Sequence, residues 1–306
     1  MKPLAVILSL ILVMSITALA ASPYVLVLGT GQDAGVPQMG CETPFCKRAW
    51  SDARLREMVS SIALVDPDSG ERWIFDATPD LPEQFEMLKA ATRDRSNRID
   101  GIFLTHAHIG HYTGLMYLGR ESMNASGVKV FAMPRMRQML EQNAPWSQLV
   151  SLKNIAIQSL ADKKEVRLNS RIIVEPFLVP HRDEFSETVG YRIKTPSRSL
   201  IFIPDIDKWS KWQTPLADVV KANDLLFVDG TFYEDGEIAR PMSEVPHPFV
   251  AETMELLKGL SARERAKVYF IHFNHSNPLV QRDKKKLAEV RSKGFRAATT
   301  GLKLDL

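Results

Sequence analysis

Residues 101–114, GIFLTHAHIGHYTG, constrain this chain more than any other stretch. Ile102, Phe103 and Leu104 make an apolar run short enough for a buried strand, and after Thr105 the chain releases His106, His108 and His111 in quick succession. Neutral imidazole is a borderline ligand that suits zinc, iron, copper or nickel. A loop leaving a rigid strand end can aim His106 and His108 at one point, which makes a metal centre the expectation here rather than a polar loop that happens to hold histidine. The fold must then return further ligands to that same end.

The second half of the chain supplies residues of the right kind. An apolar run at 177–179 leads through Pro180 to His181, a strand is expected over 189–193, and the run 200–203 ends at Pro204 and Asp205. The run 225–228 ends at Asp229, and 268–271 ends at His272 with His275 close behind. The seven histidines of the chain all fall at such ends or, for His247, in the loop segment VPHP. Ligands gathered at the same ends of several strands are how an α/β sheet builds a site. The first half reads the same way. A strand in YVLVLGTG runs into the tight turn Gly29-Thr30-Gly31, strands are expected over 61–65 and 73–76 around a turn at 66–70, and 128–133 is another. Helices are expected over 81–91, from 115 to 118 onward, and from Pro134 through 142. The alternation gives an α/β class with layered sheets and no boundary after residue 21.

Residues 1–20 differ from the rest. Lys2, an apolar stretch at 4–14 and the ending Ala18-Leu19-Ala20 have the pattern of a secretory signal cut after Ala20, too short for a membrane span and without a basic flank behind it. The mature protein, 21–306, is therefore expected in a periplasm or outside the cell, with no stable membrane insertion. There Cys41 and Cys46, the two cysteines of the chain, are expected to form a disulfide in preference to a free or metal-bound pair. A formal charge of +3 gives no reason to expect nucleic acid as a partner, and the Lys284-Lys285-Lys286 run reads as a solvated helix face. Composition says nothing of oligomeric state.

The order HxHxxH, a lone His after an apolar run, an Asp at a strand end and a His at a last strand end resembles the metallo-β-lactamase fold superfamily. Finer stretches, LGTGQDAGVPQMGC, SSIALV, FDATPD with Gln84 after it, THAHIGHYTGLMYLGRE, VDGTF and FIHFNHSNP, are similar to the coenzyme PQQ synthesis protein B family. The resemblance covers nearly all of 21–306 and implies an αββα four-layer sandwich. It also implies a first metal on His106, His108 and His181, a bridging Asp205, and a second metal on His111 and His272. Two positions depart from the pattern: Gly110 stands where the superfamily motif HxHxDH has its Asp, and His108 stands where the PQQ relatives commonly have Gln. The expectation is one tight site, zinc first with iron or manganese as alternatives, and a second site weak or absent because of Gly110.

The chemistry follows from the residues. A metal on three neutral imidazoles keeps an open position for water and lowers the pKa of that water towards about 7. Asp205 would share or orient the water, His247 would be the general acid, and Asp229 would accept from a metal-bound ring. His275 is either a further site residue or a support for one. Three functions fit: a hydrolase of a small ester, phosphodiester or lactone-like substrate; an iron-dependent oxygenase connected with PQQ synthesis; or a non-catalytic metal- or cofactor-binding protein. Specificity is expected from loops at 183–187, 209–212 and 232–242, with Trp209 and Trp212 read as core cover.

Overall fold

The computed structural model describes residues 21–238, 241 and 244–306; the expected signal segment and part of the 232–242 loop lie outside these. Strands β1 (Tyr24–Gly29), β2 (Ser61–Asp66), β3 (Glu71–Phe75), β4 (Gly101–Phe103), β5 (Val128–Ala132) and β6 (Ile155–Ser159) build one sheet. Strands β7 (Val166–Arg167), β8 (Ile173–Leu178), β9 (Val189–Lys194), β10 (Ser199–Ile203), β11 (Leu225–Asp229), β12 (Val268–Ile271) and β13 (Arg296–Ala297) build the other, in sequence order from edge to edge. The last strand, β14 (Lys303–Asp305), returns to pair with β1 and closes the edge of the first sheet.

Both faces of the central strands are apolar, and the period of two sorts them into three layers of core. Val25, Val27, Ile62, Leu64, Trp73 and Phe75 point inward against Leu200, Phe202, Phe227 and Ile271 of the second sheet. Their neighbours Leu26, Leu28, Ala63 and Ile74 point outward. That outer face is covered by α2 (Leu81–Thr92), α4 (Pro134–Gln142) and α5 (Trp146–Ser151); α1 (Pro44–Ser51) precedes α2, and the single turn α3 (Ile109–Tyr112) lies between α2 and α4 along the chain. On the opposite side Ile201, Ile203, Leu226, Val228 and Phe270 meet α1, α6 (Leu216–Ala222), α7 (Val250–Leu256) and α9 (Lys284–Ser292), with α8 (Ala262–Arg265) beside β12. The result is the four-layer αββα sandwich.

Several boundaries differ from expectation. Residues 113–118 form a 3₁₀ turn rather than the start of an α-helix. Gly114 donates its N–H to Ala77 O, and a Cβ there would stand 2.0 Å from Thr78 O, so the chain is drawn too tightly onto β3's exit to open into a wider helix. The expected strand at 73–76 stops at Phe75, because Asp76 turns into the left-handed region with φ 68°. Strands β6, β7 and β13 were not legible, being short and edge-placed with half-exposed residues. Among the described residues no helix is long and apolar enough to cross a membrane.

Parallel pairing sets the height of the site. Phe75, Phe103 and Phe131 stand in register on β3, β4 and β5, and their rings stack at 4.9 and 4.2 Å, so these strands end at one level. Tyr191 donates its hydroxyl to Leu104 O from the second sheet. The parallel trio β10, β11 and β12 ends opposite, leaving a polar cleft between the sheets.

Candidate metal centre

Each ligand-type side chain stands just past the end of a strand. Thr105 and His106 follow β4, Asp76 follows β3, His181 follows β8, Asp205 follows β10, Asp229 closes β11 and His272 follows β12. These ends converge. His106, His108, His181 and Asp205 each bring one ligand atom within 4.8 Å of the others, and Asp33, His111, Asp205 and His272 form a second such set. His106 Nε2 lies 2.8 Å from His108 Nδ1, which lies 3.3 Å from His181 Nε2. Asp205 Oδ2 is 3.1 Å from His181 Nε2, 3.4 Å from His106 Nε2 and 4.0 Å from His111 Nε2, so one carboxylate oxygen belongs to both sets.

Asp33 is the member of these two donor sets that sequence reasoning missed. It follows the tight turn at Gly29-Thr30-Gly31, and its loop is held by Gln32 N–H donating to Phe273 O and Phe273 N–H donating to Thr30 O. Its Oδ1 lies 3.1 Å from His111 Nε2 and 3.5 Å from His272 Nε2. The expectation that Gly110 leaves the second set without a carboxylate is therefore corrected: the carboxylate comes from the β1 loop. The available signal was an acid inside a Gly-rich turn at a strand end, GQDAG.

The outer ring nitrogens are all occupied. Asp76 Oδ1 accepts from Thr105 N–H at 2.8 Å and from its hydroxyl at 2.9 Å, and Oδ2 faces His111 Nδ1 at 2.7 Å. Because the Thr105 hydroxyl donates to Asp76, it accepts from His106 Nδ1 at 3.0 Å, which frees Nε2 as a ligand. Asp207 holds His181 Nδ1 at 3.2 Å and Thr231 holds His272 Nδ1 at 2.9 Å. His108 is turned the other way, with Nδ1 inward and Nε2 3.3 Å from Glu184.

Two placements correct the sequence reading. Asp229 meets His247 Nδ1 at 2.9 Å and caps Ile206 N and Thr231 N, so it orients the expected general acid and not a metal-bound ring. His275 groups with Cys41 and Cys46, which form a disulfide, and not with the aspartate and histidine sets. Trp209 and Trp212 pack on the outer core as expected, although Trp212 also walls a cavity of about 670 Å³ beside His181.

The electrostatics fit a cation. Burial alone would push the His111 ring down, but Asp76 and Asp33 overcome it and hold it well above the ordinary imidazole value. Burial likewise opposes the His181 cation, and Asp205 and Asp207 raise that ring to about 9. Burial, then the His111 charge, keeps His106 well below the ordinary value; burial lowers His108 as well. The carboxylates thus gather protons on two rings where a divalent ion would replace them. His272 Nε2 is buried without a hydrogen-bond partner, and a metal bond would satisfy such an atom. The donors present, imidazole nitrogen and carboxylate oxygen, match zinc or iron.

A family model described as a β-lactamase superfamily domain matches residues 71–273, two thirds of the chain. The chain belongs to the metallo-β-lactamase superfamily. Within it, the chain is 26% identical to coenzyme PQQ synthesis protein B of Methylorubrum extorquens strain PA1, over 92% of this chain and 100% of that protein. The superfamily fold is shared with zinc-bound PqqB from Methylobacterium extorquens, at TM-score 0.77 and 24% identity over 92% of this chain and 100% of that one. A diphosphatase of the PhnP family superposes at TM-score 0.64 with 22% identity, covering 93% and 97%.

Proposed function

We propose that this superfamily member is an exported metal-dependent hydrolase acting on a small ester, phosphodiester or lactone-type substrate. The observation that carries the proposal is Asp205, whose Oδ2 serves both donor sets while its Oδ1 stands 3.1 Å from His247 Nδ1. A zinc ion held by His106, His108, His181 and Asp205 would supply a Lewis acid and lower the pKa of an attacking water towards about 7. Asp205 orients the nucleophile and takes its proton. His247, buried and held by Asp229, carries a proton on the other side of that carboxylate and delivers it to the leaving group. Burial disfavours the His247 cation, but Asp229 and Asp205 push its pKa up to about 10, which keeps the proton in place at neutral pH. Exposed Ile109 and Phe185 stand beside His108 and its partner Glu184, and favour a substrate with an apolar portion.

Support for zinc is the donor set and the zinc-bound structural relative; iron or manganese are the alternatives. Support for export is the composition of residues 1–20. The test is elemental analysis of the purified protein followed by nitrophenyl ester, bis-nitrophenyl phosphate and lactone panels. Turnover lost with chelator and lost in His108→Ala is expected; full turnover in that variant overturns the proposal. The likeness to coenzyme PQQ synthesis protein B over 92% of the chain favours one second reading, oxygen chemistry connected with that cofactor. Bound iron together with oxygen uptake would select it.

A further inference from the structure

Gly110 and Asp33 occupy one another's place. An ideal Cβ on Gly110 would stand 2.6 Å from Asp33 Oδ1, 2.9 Å from its Cβ and 2.5 Å from its Cα. A side chain at 110 would therefore displace the Asp33 segment, its backbone first and the carboxylate with it. That shared volume is the one from which a carboxylate reaches both fully buried rings, since Asp33 Oδ1 is 3.1 Å from His111 Nε2 and 3.5 Å from His272 Nε2. His272 Nε2 is buried, has no hydrogen-bond partner and belongs to the donor set that Asp33 completes. The Asp33 loop is fastened to the other sheet's exit strand through Gln32 and Phe273, and Asn274 donates its side-chain amide to Gln32. It is a built arm.

We propose that in this chain the acid ligand of the second metal has moved from the histidine motif to the β1 loop, so that Asp33, His111, His272 and Asp205 hold a full second divalent ion and Gly110 is the vacancy that admits the arm. The inference rests on the metal-dependent reading of the site, but it concerns the second ion alone. A loop from the other end of the chain now carries one ligand of a two-ion centre, where a motif acid would sit two residues from His108 on the same turn. The second ion is thereby coupled to the order of residues 31–35.

The experiment is zinc titration of chelator-treated protein by calorimetry, with elemental analysis of the loaded forms and melting curves of the zinc-free ones. About two zinc ions per chain are expected for the wild type and about one for Asp33→Ala, which should still melt cooperatively without zinc. Gly110→Ala should melt lower and lose the second ion, because its Cβ meets the Asp33 backbone and carboxylate. Two ions retained in Asp33→Ala overturn the proposal, as does a Gly110→Ala variant that melts like the wild type and keeps both ions. A wild type with one ion and full hydrolysis would sink this inference and leave the proposed function standing; a wild type that binds none would sink both.

Discussion

The two donor sets share Asp205 but are built differently. In the first, His108 and its partner Glu184 are partly exposed, so one edge faces solvent. In the second, His111 and His272 are fully buried and their outer nitrogens rest on Asp76 and Thr231, while the acid arrives on a surface loop. The first set thus has one edge open to solvent; the second has a sealed floor and takes its acid from a separate loop. Metal-binding rings need outer partners to hold their orientation, so the partner's burial decides how much each ring's support is worth.

The largest effect should come from the residue common to both. Asp205→Asn keeps the shape but removes the charge, and should lower kcat/KM roughly 10²–10⁴-fold while weakening both ions. If only one ion is affected, the two sets are independent. Next comes Asp76→Ala, which strips the acceptor from Thr105 N–H, the Thr105 hydroxyl and His111 Nδ1 in a fully buried position. It should destabilise the fold by about 3 kcal/mol and cost the second set roughly 10–100-fold in metal affinity, measured by denaturant melts and zinc titration. By contrast Glu184→Ala removes an exposed partner of His108, and activity should fall less than about 3-fold. An equal loss in the two variants would erase the distinction between floor and edge.

The smallest effect is expected away from both sets. Asp66, buried at the end of β2, would be raised by desolvation, but Arg171, Asp68 N–H and Asn169 hold its carboxyl below the ordinary value of 3.8. A lowered folded pKa contributes stability above the unfolded value that is lost as pH falls through the folded one. Arg171→Met should therefore raise the pH of acid unfolding modestly and leave metal content and neutral-pH activity alone. A change in metal content would tie the far edge of the sheet to the site.

Most of the site was legible because its residues follow apolar runs. His106, His108, His111, His181, Asp205 and His272 all come together, since a strand end is a local pattern that fixes where the next residue stands. Asp33 escaped although its turn follows the apolar run of β1, because it lies past that turn and its place is fixed only by the pairing of Gln32 with Phe273, far away in sequence. Asp76 and Asp207 escaped because an acid that holds a ring differs from an acid on a solvated turn only by burial, which no local pattern encodes. Gly110 was legible as a missing acid but not as the space for one, because a glycine's neighbours are set by tertiary approach. His247 was read correctly as a loop residue of the site, and its partner Asp229 was assigned to the wrong ring.

Asp76 and His272 both sit at positive φ, 68° and 67°, a region that side chains with a Cβ enter at a cost of about 1 kcal/mol or more. Glycine would be more comfortable at either position. At Asp76 the buried contacts outweigh that strain, whereas His272 Nε2 has no hydrogen-bond partner of its own to set against it. Survivors of a search for heat-tolerant variants scored by melting alone would therefore need to be re-ranked by their bound metal before any is called improved.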